Sequence, residues 1–214
     1  LKPPPDATFR PQLRKLSVDI ETTFDAKTLY SIGVWAQDIH TVWVVRHLDM
    51  PVEQPIPGDF DLIYVATQAD LLTAFLTFIE RYDPDIFIGW NLVQFDLWVL
   101  EQIAKREKIP WRLGRNGQTC QWRQEDGEQG RRFVVIPGRQ ALDGIELLKA
   151  ANYSFSRFNL HTVANTLLGE GKLLHAANQA EEITRLYLTE PVLFAQYNLK
   201  DCQLVWDIFA QQNL

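Results

Sequence analysis

Apolar and polar residues alternate over the stretch LSVDIETT, which runs from Leu16 to Thr23. This period of two predicts a β-strand that carries the carboxylates of Asp19 and Glu21 on one face. Two like charges at neighbouring positions of one strand face repel each other. The pattern therefore leaves two interpretations open: the face is exposed to water, or positive charge lies between the two side chains.

Similar patterns predict the other strands of a sheet. The segments LYSIGVWA (residues 29–36) and TVWVVRHL (residues 41–48) predict two more strands, which the sequence QDIH joins into an antiparallel meander. A further buried strand is predicted at residues 84–91.

Helical spacing of apolar residues predicts a helix at residues 68–82, with Thr67 as its N-cap. A second helix is expected from about residue 94 to residue 108, where Pro110 follows it. Helices that alternate with strands in this way predict an α/β fold with a mixed central sheet flanked by helices.

Between Trp111 and Gly138 the chain becomes polar, and Asp126-Gly127 is a turn signal between two arms. We therefore predict a protruding β-hairpin here. The remainder is predicted to be helical, in the segments DGIELLKAA, NLHTVANTLLG, QAEEITRLYL and PVLFAQYNLKDCQLVWDIFAQQ.

The chain has 214 residues, 46% of them hydrophobic, which suits one α/β domain with a substantial core. Residues 1–13 are predicted to be an extended, proline-rich lead-in, and residues 14–214 the folded domain of a longer polypeptide. Cys120 and Cys202 lie far apart in the sequence, which favours a reducing compartment over a disulfide framework. Because no apolar segment is long enough to span a bilayer, we expect a cytoplasmic location and no membrane contact.

The formal net charge of −6 is unfavourable for a generic nucleic-acid binder. It does not exclude a nuclease, because bound divalent cations convert an acidic pocket into one that binds phosphate. Charge alone therefore leaves the class of function open.

Two more acids lie where they could join Asp19 and Glu21. Asp96 falls in the first turn of the second predicted helix, after the strand that ends at Asn91. If that strand neighbours the first one, Asp96 reaches the same edge of the sheet. Asp201 lies on the last predicted helix.

Tyr197 precedes Asp201 by one helical turn, so the two residues share a helix face. Each residue also has a purely structural interpretation. An acid at a helix start can stabilise the helix dipole, a tyrosine can pack, and acid-x-acid pairs recur by chance in a chain with 27 acidic residues. The order of a DIE strand, an NLVQFD loop and a YNLKD helix is what favours a shared site.

These three blocks resemble the Exo I, Exo II and Exo III motifs of the DEDD exonuclease superfamily, in the subclass with a tyrosine four residues before the last aspartate. The flanking segments DPDIFIGWNLVQFDLWVL, GRQALDGIELLK and LHTVANTLLGEGK are similar to the 3′→5′ proofreading domain of family B DNA polymerases. The resemblance implies a ribonuclease H-like fold. It also implies that the domain releases nucleoside monophosphates by hydrolysis from single-stranded or frayed 3′ DNA ends. The remainder of a polymerase chain would then be the second partner, beside DNA.

The resemblance also implies a role for each matching residue. Asp19, Glu21, Asp96 and Asp201 correspond to acids that hold two Mg²⁺ or Mn²⁺ ions, and Tyr197 corresponds to a residue that orients the attacking water. The remaining matches, on the substrate side, are Asn91, Phe95 and Lys172. Oxygen ligands are those that such hard cations prefer, and two cations can stabilise both the attacking and the leaving oxygen.

Two other functions remain open at this point. The first is an RNA-trimming or free-standing exonuclease of the same superfamily, which would lack the hairpin and the polymerase-like block at residues 138–149. The second is a catalytically weak domain that serves as a scaffold or binds DNA ends.

Overall fold

The computed structural model describes residues 11–51, 54–56, 59–127, 130–171 and 179–212. Within these ranges the strands are β1 (Lys15–Thr22), β2 (Leu29–Ala36), β3 (Ile39–Val45), β4 (Asp61–Val65), β5 (Ile86–Gly89), β6 (Gln121–Gln124), β7 (Arg132–Val135) and β8 (Gln140–Asp143). The helices are α1 (Gln68–Tyr82), α2 (Asp96–Arg106), α3 (Gly144–Ala150), α4 (Leu160–Leu168), α5 (Gln179–Thr189) and α6 (Pro191–Gln212), with a short 3₁₀ turn at Arg115–Gly117.

The central sheet has the strand order β4-β3-β2-β1-β5-β8. Strands β1, β2 and β3 form the antiparallel meander, while β4, β5 and β8 pair in parallel with their neighbours. The mixed α/β sheet with flanking helices is confirmed, and it is consistent with a ribonuclease H-like fold. Strand β1 is therefore an interior strand of the sheet, not an edge strand.

The two faces of β1 pack against different helices. Leu16, Val18 and Ile20 lie in one core cluster with residues of α1 and α2. The opposite face packs against α6, which also crosses β2 and β3. On this face Ser17 is buried, Glu21 is only 8% exposed and Asp19 is half-buried, so this face of β1 is not a fully exposed surface.

Strand β5 covers only the first half of β1. The parallel pairing joins residues 15–17 of β1 to residues 86–88 of β5, and β5 ends at Gly89. The second half of β1 continues to Thr22 without a strand on that side. A gap therefore opens beside the part of β1 that carries the acids.

The sequence patterns fail at several strand boundaries. Strands β4 and β8 are not predicted, because β4 exposes alternate residues after a proline-rich stretch and β8 is only four residues long. Strand β3 begins at Ile39 rather than at residue 41, because Ile39 pairs with Ala36 across a tight turn. Helix α2 begins at Asp96, two residues after the predicted start.

The helix predictions are more accurate. Helix α1 spans residues 68–82 as predicted, and Thr67 forms a reciprocal capping box with Asp70. Gly169 ends α4 in a left-handed conformation, as its position suggests. Among the helices in the described part of the chain, none has the length and apolar character needed to cross a membrane.

The predicted hairpin is confirmed as a separate two-stranded sheet of β6 and β7. Its turn includes Asp126 and Gly127, and Gly127 has a φ of 105°. Cys120 and Cys202 are both free thiols.

Candidate active site

Three acids from distant parts of the chain converge beside the second half of β1. One carboxylate oxygen each of Asp19, Glu21 and Asp201 lies within 4.8 Å of the others. The strand supplies the first two, and α6 supplies the third. Two ligand oxygens on opposite sides of a magnesium ion are about 4 Å apart, so this donor set fits a hard divalent cation after small rotations.

Asp96 lies next to this cluster and fills the gap left by β5. Its Oδ1 atom accepts a hydrogen bond from the Ile20 backbone N–H at 3.2 Å, in the place of a strand partner. Burial raises the pKa of Asp96 well above its usual value, and the nearby charge of Asp19 raises it further. The structure therefore brings Asp96 within electrostatic reach of Asp19.

Asn198 holds the carboxylate of Asp19 in position. Its side-chain amide donates a hydrogen bond to Asp19 Oδ2 at 2.7 Å, while its own oxygen accepts one from the Ser31 hydroxyl at 2.8 Å. Residue 33, which faces this amide, is a glycine, and a larger residue would crowd it. A Cβ atom there would lie 3.0 Å from Asn198 Cγ.

Tyr197 and Cys202 are both buried residues of α6. Tyr197 is only 1% exposed, and its ring lies in a core cluster that includes Phe194 and Tyr187. Burial, followed by the charges of Asp19 and Asp201, raises the pKa of the Cys202 thiol well above its usual value. Cys202 is therefore a neutral thiol behind the acids.

Asn91 and Phe95 lie in the short loop between β5 and α2. Asn91 has a φ of 66°, a conformation that asparagine tolerates well, and its carbonyl accepts the Phe95 N–H at 2.9 Å. Phe95 is 37% exposed, immediately before Asp96. The loop therefore presents one polar and one aromatic side chain to solvent beside an acid.

Asp143, at the end of β8, supports this loop from below. It caps α3 by accepting the Ile145 N–H at 3.0 Å. Burial raises the pKa of Asp143, although the hydrogen bond from Ile145 and the nearby backbone N–H groups of Asn91 and Val93 oppose this rise. Asp143 thus connects two neighbouring strand ends at the same edge of the sheet.

Sequence reasoning missed several residues around the site. Asn198 and Asp143 act through partners that are remote in sequence, so local patterns carry no signal for them. Phe24 is 93% exposed in the turn directly after β1. An aromatic residue three positions after Glu21 is visible in the sequence, so this residue could have been identified from its position. Lys172 lies outside the described residues.

The chain belongs to the exonuclease domain family of the family B DNA polymerases. The family model described as DNA polymerase family B, exonuclease domain, matches residues 1–163. This match includes Asp19, Glu21 and Asp96 but ends before α6. A proofreading 3′→5′ exonuclease is the activity that the family implies, and its exonuclease domains use divalent metals.

Among individual proteins, the chain is 42% identical to DNA polymerase II of Escherichia coli strain K12 over 215 aligned residues. That alignment includes all of this chain but only 27% of the polymerase. A DNA polymerase of Desulfurococcus sp. strain Tok is 25% identical over 92% of the chain, which covers 24% of that protein. The DNA polymerase delta catalytic subunit of Bos taurus is 33% identical over 49% of the chain and 10% of its own length.

Replacing Asp96 with asparagine tests the electrostatic strain at the site. The variant keeps an oxygen for the Ile20 N–H but removes a buried charge. Because folding raises the pKa of Asp96, the unfolded chain loses this proton first, and the wild-type protein loses stability as the pH rises above the usual value of 3.8. Without metal at pH 8, we therefore expect D96N to be more stable than the wild-type protein.

Urea unfolding with a chelator at pH 5 and pH 8 measures this difference. The exposed Asp49→Asn serves as the charge-matched control and should show no gain at pH 8. Equal stability of D96N and the wild-type protein at pH 8 would contradict the expectation.

A double-mutant cycle tests the packing of Asn198 against Gly33. Asn198→Ala should lower the free energy of unfolding by about 2 kcal/mol, because it leaves buried partners without their hydrogen bonds. Gly33→Ala should be destabilising in the wild-type protein and much less so beside Asn198→Ala, where the clash is gone. Additive costs in urea unfolding would indicate that the two positions do not interact.

Proposed function

We propose that the chain is a metal-dependent 3′→5′ exonuclease that removes nucleoside 5′-monophosphates from single-stranded or frayed 3′ DNA ends. Its biological role would be proofreading for a family B DNA polymerase, whose remaining domains are the second proposed partner. The observation that carries the proposal is the cluster of oxygens from Asp19, Glu21 and Asp201 within 4.8 Å of one another. Membership in the exonuclease family supports the same reaction.

The four acids are proposed to hold Mg²⁺ or Mn²⁺, two per site. Asp19, Glu21 and Asp201 would hold a cation on the side of the attacking water, and Asp96 would serve the side of the leaving group. Divalent cations, when bound, lower the pKa of water and stabilise the charge on the attacking and leaving oxygens. Asn198 would keep one oxygen of Asp19 occupied, so that the other is presented to the cluster.

Tyr197 is proposed to orient the attacking water by hydrogen bonding. A phenol with a pKa near 10 is a poor base at neutral pH, so the side chain would act as a donor or acceptor rather than remove a proton. The position of Tyr197 one turn before Asp201 on α6 supports this role.

Substrate contacts are proposed for the loop after β5. The exposed ring of Phe95 offers a stacking surface for an unpaired base, and the exposed Asn91 offers hydrogen bonds. Phe24 adds a second exposed ring beyond the other end of the acid pair. For Lys172, contact with the phosphate or the water rests on the family resemblance alone.

The hairpin of β6 and β7 is proposed to help separate a duplex end. Mispaired ends open more easily, at a cost lower by a few kcal/mol, which gives selectivity without base reading. The guanidinium groups of Arg123 and Arg131 lie 5.0 and 5.3 Å from the centre of the Phe133 ring. These stacked cations and the ring provide a surface suited to nucleic acid.

Asp19→Asn should abolish hydrolysis, because it removes one of the charges that hold the proposed cations. We expect the release of nucleoside monophosphates from 3′-labelled single-stranded DNA, with Mg²⁺ or Mn²⁺, to fall at least about 100-fold. Asp49→Asn, on an exposed loop, is the control and should retain full activity. Equal product from D19N and the wild-type protein would favour a non-catalytic, DNA-end-binding domain.

Arg123→Glu should weaken the use of duplex ends more than that of single strands. Reversing this exposed charge should raise KM for a mismatched duplex end by on the order of tenfold, while hydrolysis of a single strand changes less than about twofold. Arg112→Glu, an equal change of charge on the segment after α2, is the control. Equal losses on both substrates would count against a separating role for the hairpin.

A further inference from the structure

The side-chain amide of Gln94 forms hydrogen bonds with the backbone of β7 like those of a neighbouring β-strand. Its Oε1 atom accepts the Arg132 N–H at 2.9 Å, and its Nε2 atom donates to the Arg132 carbonyl at 2.8 Å. The Arg132 guanidinium returns a third hydrogen bond, from Nη1 to the Gln94 carbonyl, at 3.0 Å. One side-chain amide thereby satisfies both main-chain groups of a residue at the edge of the hairpin.

The register of the hairpin explains why Arg132 has these groups to offer. Glu125 donates to the Arg131 carbonyl at 3.0 Å, and Gln124 pairs with Arg132 at the next position. In an antiparallel ladder, hydrogen-bonded and non-hydrogen-bonded pairs alternate, so the N–H and carbonyl of Arg132 point away from β6. Gln94 takes the place that a third strand would occupy.

Two further contacts fasten the hairpin along α2. The Arg132 guanidinium carbon lies 4.6 Å from the centre of the Trp98 ring, and the Trp122 indole N–H donates to the Glu101 carboxylate. The Trp98 and Trp122 rings also meet edge to face, with centroids 5.2 Å apart. Helix α2 therefore contacts both strands of the hairpin.

Gln94 lies two residues before Asp96, in the loop that also carries Phe95. A shift of the hairpin at Arg132 would pull on this loop directly, whereas the contacts at Trp98 and Glu101 act on the helix that follows it. Trp98 is as close to Asp96 along the chain as Gln94 is, but among the described contacts of the hairpin with this segment, the Gln94 pair is the one made with the loop before Asp96.

We propose that Gln94 is a positioning residue that fixes the hairpin to the loop of Phe95 and Asp96, so that a DNA end opened at the hairpin arrives in register with the acids. This inference rests on the proposed exonuclease function. It assigns Gln94 no contact with the reacting atoms. Its effect should therefore appear with substrates that engage the hairpin and not with short single strands.

Two measurements on Gln94→Ala, Gln94→Glu and the control Gln211→Ala test the proposal. Gln211 is an exposed glutamine near the end of α6. The first measurement is amide hydrogen exchange of the metal-free proteins. Gln94→Ala should accelerate exchange in β6 and β7 by about tenfold while leaving β1 and α6 unchanged, because only the local attachment is lost.

The second measurement compares a mismatched duplex end with a single strand of the same 3′ sequence, in Mn²⁺. Gln94→Ala should raise KM for the duplex end by about tenfold, with kcat on the single strand unchanged within about twofold. Gln94→Glu still accepts the Arg132 N–H but cannot donate to its carbonyl, so an intermediate effect is expected. The control should match the wild-type protein in both measurements.

The outcomes separate this proposal from the proposed function. Unchanged hydrogen exchange in the hairpin would show that Gln94 does not hold the hairpin. Faster exchange with equal effects on both substrates would overturn the role of Gln94 in positioning DNA. If the wild-type protein hydrolyses neither substrate, the exonuclease function fails, and the role of Gln94 in positioning DNA fails with it. The exchange result would still decide whether Gln94 holds the hairpin.

Discussion

The early end of β5 is the constraint on which the site depends. Because β5 stops at Gly89, the second half of β1 has an unpaired side where another strand would otherwise lie. Asp96 enters this space and takes the Ile20 N–H, while α6 brings Asp201 across the face that carries Asp19. A longer β5 would satisfy the backbone hydrogen bonds of β1 but would exclude Asp96. Strand length thus determines which carboxylates can meet.

The chain contains a useful comparison for these acids in a second acid-x-acid pair. Asp83 and Asp85 have the same spacing as the pair on β1, but Arg115 bonds to both of them at 2.8 and 2.7 Å. These hydrogen bonds lower the pKa of both carboxyls, and Arg139, whose side chain is 3% exposed, adds a further cation contact to Asp83. The protein neutralises that pair with its own side chains. Asp19 and Asp96 accept hydrogen bonds from the neutral amide of Asn198 and from a backbone N–H, which orient a carboxylate without cancelling its charge. In the proposed function, bound cations would add positive charge between these acids.

Local patterns predict those parts of the fold whose stabilising contacts are themselves local. The observed bounds of β2 and α1 are those predicted from the sequence, α1 is marked by its capping box, and Pro191 marks the start of α6. Strands β4 and β8 are short, and each is fixed by parallel pairing to a strand that is distant in sequence, so their own residues carry little signal.

The same distinction between local and distant contacts applies to the site. Asp19, Glu21, Asp96 and Asp201 stand out as acids in recognisable blocks, but the amides that hold them or their loop, Asn198 and Gln94, are identified only by contacts across the fold.

The distribution of charge, rather than its sum, bears on how an acidic domain could approach DNA. Three arginines lie in the hairpin strands and turn, yet Arg131 is paired with Glu146, and Arg132 is bonded to Gln94 and stacked on Trp98. Their charge is therefore largely committed to holding the hairpin, and exposed Arg123 is better placed to meet a phosphate. Affinity for nucleic acid rises steeply with the number of phosphates neutralised, so one available arginine gives weak binding. The proposed role of the hairpin is therefore to sort ends that are delivered to it, rather than to hold the duplex by its own charge.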